Sequence, residues 1–182
     1  MALSGQLTSA AVQASLAGGE FAGSWTLDPA RSEVQLKTRH TWGLLPLNGV
    51  FGEVSGNGAV TAAGDVTGTV TVAAESVATK NKQRDKHLRS ADFFDIANHP
   101  HLVFAVDGIT PADGGVRVTG SLTVRDRTRP VSFDATVSSA DGEVALDGEI
   151  PVNRADFGLT WNWLGIASMH STIVVHAVFT RD

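Results

Sequence analysis

The chain has 182 residues, a net charge of −5 at neutral pH, 42% apolar residues and no cysteine. That length favours one domain with a sizeable core. The acidic balance offers no basic surface to nucleic acid, and the absence of cysteine removes disulfides, thiolate nucleophiles and sulfur-ligated metals together.

The first residues, "MALSGQLTSAAVQASLAGGEFAG", are small and carry no Lys or Arg; the first basic residue is Arg31. No apolar run here matches a signal segment or a membrane span. The expectation is a flexible or weakly helical leader over 1–22, a folded domain over 23–182, no membrane span and a cytoplasmic location.

Beyond residue 24 the chain reads as strands. In "EVQLKTRH" (33–40), Val34, Leu36, Thr38 and His40 alternate with Glu33, Gln35, Lys37 and Arg39. Period two is the mark of a half-buried antiparallel strand. The Gly-rich stretch 48–60 fits a second strand. The alternation returns at 66–74, 101–107, 116–124, 130–137, 143–152 and 172–179. Between these runs lie turn signals such as "AAGD", "ADGG", "RDRT" and "ADGE". Eight strands, mostly hairpin-linked, predict an all-β, extended antiparallel barrel, because closure removes exposed edges. A two-sheet sandwich remains the alternative. Gly68, Gly120 and Gly148 interrupt runs of Val, Leu and Ile; glycines on an apolar strand face suggest bent strands around a space.

One short helix is expected, at about 80–92. "KNKQRDKHLRS" holds good helix formers without Pro or Gly, and Thr79 or Asn81 can cap it. Leu88 is its one strongly apolar residue, so most of the helix faces water. Lying across a barrel mouth, it would turn Phe93 and Phe94 inward and leave Arg84 and Arg89 at the rim.

Several blocks together resemble the YceI family of lipocalin-like polyisoprenoid-binding proteins. "SWTLDPARSEVQLKTRHTWGLLPLNGVFGEVSG" is similar to the family's opening signature. "ESVATKNKQRDKHLRSADFFDIANHPHLVF" resembles its most distinctive block, and "GSLTVRDRTRPVSF" and "NRADFGL" its later elements. The resemblance runs in register over about 24–181. It implies an eight-stranded lipocalin-like barrel whose apolar tunnel holds a long isoprenoid or amphiphile as a non-catalytic carrier or store. It implies no obligatory metal or cofactor and no established catalysis. Many relatives are periplasmic or secreted, whereas this chain lacks a recognisable export signal. Within such a tunnel the candidate ligand contacts are His40, Trp42, Phe51, Leu88, Phe93 and Phe94. Further along the chain they are Phe104, Leu122, Phe133, Trp161 and Trp163. Arg84 and Arg89 are head-group candidates, since a guanidinium offers paired donors to phosphate or carbonyl oxygen. Their alternative role is to pair with Asp85, Asp92 or Asp95 and pin the helix. Homodimer formation is left open.

Rival chemistries have weaker support. His99 and His101 would share a strand face and, with His87 or His40, could ligate a metal. Yet Pro100 breaks the run between them, and no acidic partner stands at a ligand spacing. A hydrolase would need a Gly-x-Ser-x-Gly elbow, which the chain lacks. The remaining enzyme reading is a barrel acting on a hydrophobic small molecule with His40 or His101 as acid or base.

Overall fold

The computed structural model describes residues 5–40, 45–162 and 167–182. The strands are β1 (Gly23–Leu27), β2 (Glu33–His40), β3 (Leu45–Phe51), β4 (Val54–Val60), β5 (Val66–Ala73) and β6 (Val77–Ala78). There follow β7 (His101–Ala112), β8 (Gly115–Val124), β9 (Arg127–Ala140), β10 (Glu143–Asn153) and β11 (Ala167–Arg181). All pairings are antiparallel. The ring β1-β4-β5-β7-β8-β9-β10-β11 closes on itself where Leu27 pairs with Phe179 and Trp25 with Arg181. β1 and β2 are two halves of one stave along the same edge of β11, interrupted at residues 28–32. β3 and β4 are likewise two halves of the next stave, broken at Gly52 and Glu53. The result is a closed eight-stranded antiparallel barrel, which decides against the sandwich.

The alternation seen in the sequence is the alternation of the wall. On β8, Val116, Val118, Leu122 and Val124 are buried, while Arg117 and Thr119 point outward. A bulge between Val106 and Gly108 adds one residue to β7 and keeps both Val106 and Ile109 on the inner face. Outside, polar pairs sit directly across the ladder, with Arg117 ion-paired to Asp134 and His176 hydrogen-bonded to Asp147. The β9–β10 hairpin turns through Asp141 and Gly142, both at positive φ, as a two-residue hairpin of matched twist requires.

Two helices lie at opposite ends. α1 (Ser9–Ala17) is capped by Thr8, whose Oγ1 accepts from the Ala11 amide. It sits at the end with the β4–β5 and β7–β8 turns: the Leu16 backbone passes close to Gly64, and Gln6 donates to the Gly114 carbonyl. Val12 on α1 is buried against Val116, Val118, Ala135 and Val137. The sequence reading anticipated a flexible or weakly helical leader here, without its place on the barrel. α2 (Lys82–Arg89) occupies the connection between β6 and β7 at the other end, inside the span expected for it. Its cap is Asn81, not Thr79. No described helix is long and apolar enough to cross a membrane.

Candidate functional site

Side chains from every stave and from both helix-bearing ends enclose one internal cavity of about 260 Å³. Val34, Leu36, Val70, Val106, Ile150 and Ile173 form part of its wall. Val12, Leu16, Phe21 and Trp25 close it beside α1, and Phe93, Phe94, Phe157 and Leu159 close it beside α2. A space this small that touches both ends of the barrel is long and thin. Its lining is hydrocarbon apart from Asn57, Thr67, Thr69, Ser171 and Arg154. Such a surface gives water few partners, so the space suits an apolar occupant.

Two glycines make this shape possible. A Cβ on Gly148 would lie 2.8 Å from a carbon of the Phe133 ring, and one on Gly120 would lie 2.8 Å from the tip of Phe104. These bare positions let the two rings pack onto the neighbouring backbone, where they meet as a tilted pair 5.8 Å apart between centroids.

The α2 end is built from the stretch 74–96. Arg89 donates from Nε to the Glu75 carbonyl at 2.7 Å and from Nη2 to the Val77 carbonyl at 2.9 Å. Arg84 donates to the Thr79 hydroxyl at 2.7 Å and the Thr79 carbonyl at 2.9 Å. Asp85 accepts from both the amide and the hydroxyl of the same threonine. The forked guanidiniums thus strap α2 to β6, which itself pairs with β3. Backbone bonds from Phe94 to Leu88 and from Asp95 to Ser90 then fold the chain back. This turn drives Phe93 and Phe94 into the barrel as an edge-to-face pair, 4.9 Å apart, with Phe94 meeting Phe51 at 6.0 Å.

Arg154 is the one charged side chain in the described lining. It is 7% exposed and sits 5.7 Å from the centre of the Phe93 ring. Nε donates to the Ser168 carbonyl, and Nη1 to those of Leu159 and Trp161. Burial pushes its pKa down from the usual arginine value. Arg154 therefore gathers the carbonyls of the β10–β11 connection. No sequence argument singled it out beyond its place in "NRADFGL".

The sequence candidates distribute unevenly around this cavity. Phe51, Phe93, Phe94, Phe104, Leu122 and Phe133 line it. Leu88 is buried in the core but does not reach the lining, because it packs under α2. Trp161 is 44% exposed and rests on His87, with ring centroids 4.1 Å apart, so it lies outside the cavity. Arg84 and Arg89 hold backbone and threonine oxygens. Neither forms an ion pair with Asp85, Asp92 or Asp95 among the described residues. Trp42 and Trp163 lie outside the described residues, as does the side chain of His40, whose backbone ends β2. His101 is exposed and absent from the lining, because it starts β7 with its side chain on the outer face. Among the described residues, no group of three His, Asp or Glu could hold a metal ion.

Comparison with known proteins places this architecture. The protein YceI of Salmonella arizonae is 30% identical over 112 residues, which span 58% of this chain and 58% of that protein. A UPF0312 protein of Pectobacterium atrosepticum matches to the same extent. Among solved structures, Burkholderia cenocepacia BcnA superposes with a TM-score of 0.76 at 25% identity, covering 84% of this chain and 98% of that one. A polyisoprenoid-binding domain from Saccharophagus degradans superposes with a TM-score of 0.68 at 15% identity, covering 87% and 98%. The YceI-like domain matches residues 25–179, from the buried Trp25 of β1 to Phe179 at the seam where the barrel closes, and the chain belongs to the YceI family.

Proposed function

We propose that the protein is a non-catalytic carrier or store for a polyisoprenoid or similarly long amphiphile, whose tail lies along the barrel axis. The observation that carries this reading is the cavity itself: thin, continuous between the two ends, and lined almost wholly by hydrocarbon. At about 0.3 kcal/mol per heavy atom for large ligands, a tail of about forty carbons would bind tightly without any head-group contact. The polyisoprenoid-binding domain of Saccharophagus degradans shares the fold and is consistent with the same use.

The test is to extract the purified protein with organic solvent and identify what it carried by mass spectrometry. A stoichiometric long-chain lipid is expected. Phe94→Asp, which puts a carboxylate into the cavity wall, should lose that lipid while the barrel still gives a β-type circular dichroism spectrum. A well-folded Phe94→Asp protein that retains its lipid would overturn the reading.

A further inference from the structure

The charges of this acidic protein are sorted between the two ends of the barrel. The connections at the α2 end (74–100, 125–129 and 154–162) carry nine Lys and Arg against six Asp and Glu. The rest of the chain carries five against thirteen. Outside these connections Arg31 pairs with Asp28 and Glu143, Arg117 with Asp134, and Arg181 donates to the Glu20 carbonyl, while Lys37 and Arg39 are exposed on β2. At the α2 end Lys80, Lys82, Lys86, Arg127 and Arg129 are exposed and form no ion pair among the described residues. Glu75, Asp92, Asp126 and Asp156 are exposed among them, and the end stays net positive. It also bears Trp161, the one large hydrophobic side chain exposed among the described residues.

Contacts tie these features into one face. Trp161 rests on His87 of α2. Arg127 lies against Gly158, three residues before Trp161, and Arg125 donates to the Phe93 carbonyl. We propose that this end is a docking face for an anionic lipid bilayer, with the lysines and arginines on the phosphates and Trp161 at the headgroup level. An amphipathic ring beside a set of cations is the arrangement that interfacial anchoring favours. The face lies directly over the Phe93–Phe94 end of the cavity, so docking would set that end against the membrane. Only this purpose rests on the carrier reading; the docking itself does not.

Co-sedimentation tests it with vesicles that contain no prenyl lipid, so its failure and that of the carrier reading are separable. The protein should bind phosphatidylcholine vesicles that include phosphatidylglycerol, and release them as salt rises from about 0.02 to about 0.5 M and screening shortens. Vesicles of phosphatidylcholine alone should bind at least tenfold more weakly. Removing a surface cation costs about fivefold in partitioning, so Arg127→Glu with Arg129→Glu should lower it by about thirtyfold or more. Arg117→Ala, on the barrel wall, should leave it unchanged. Trp161→Phe should abolish the blue shift in tryptophan emission on vesicle addition. Equal binding to both vesicle types, no binding to either, or full binding by the folded double variant would overturn the proposal.

Discussion

At the scale of single residues, Arg84 and Arg89 separate what their type suggests from what their geometry does. A guanidinium beside a lid helix invites an anionic head group, but both forks are spent on oxygens of residues 75–79. Arg89→Ala would strip charge-assisted donors from two carbonyls, which costs about 1–3 kcal/mol where the carbonyls stay buried. Arg89→Lys should recover only part of this, since an ammonium cannot span two acceptors as a planar fork does. The expected result is a lower melting temperature with equal losses of binding for a prenyl diphosphate and for the matching neutral prenol. A selective loss for the diphosphate would return Arg89 to the head-group role. Part of the aromatic lining was legible in the sequence, because Phe51, Phe93, Phe94, Phe104 and Phe133 stand out from their neighbours, while Phe21, Trp25, Phe157 and Phe179 were not singled out. Of the aliphatic lining only Leu122 was. A valine facing a cavity, such as Val70, has the same pattern in the sequence as a valine facing a filled core, such as Val77.

At the scale of elements, period two revealed the staves after residue 32, and turn chemistry revealed the hairpins. β1 escaped because it is five residues long and its pattern ends at the break before β2. Yet β1 is the piece that closes the ring, through β4 on one edge and β11 on the other. α1 was anticipated only as weak helix, and its packing escaped for a different reason: its small residues give no amphipathic stripe, and only tertiary contact shows that Val12 and Leu16 face the cavity. These side chains stopper the end opposite α2. Burial of a valine is worth about 1.5–3 kcal/mol, so Val12→Asp should loosen the helix without unfolding the barrel. A fluorescent long-chain probe held in the cavity should then dissociate faster, with the β-type circular dichroism preserved. An unchanged dissociation rate would show that α1 is packing alone.

At the scale of the whole molecule, the closed ring is pinned from outside by ion pairs that span elements distant in sequence. Arg31, in the break between β1 and β2, donates to Asp28 and forks onto both oxygens of Glu143 at the start of β10. Arg117 does the same for Asp134 across β8 and β9. The arginine hydrogen bonds hold Asp28, Glu143 and Asp134 below the usual carboxylate range. A carboxylate whose pKa is lowered by folding adds stability above its unfolded pKa and loses it as pH falls through the folded value. Stability should therefore decline as pH drops below about 4, where unfolded carboxylates begin to take up protons. Arg31→Gln isolates this contribution. The variant should melt below the parent at neutral pH, and the gap should close on acidification, because the parent then loses the interaction the variant already lacks. Asp28 and Glu143 are only half-buried and still reached by solvent, so added salt should also narrow the gap at neutral pH. A gap that stays constant or widens toward acid pH would mean that Arg31 acts through packing of its stem across the β1–β2 break, not through its charge.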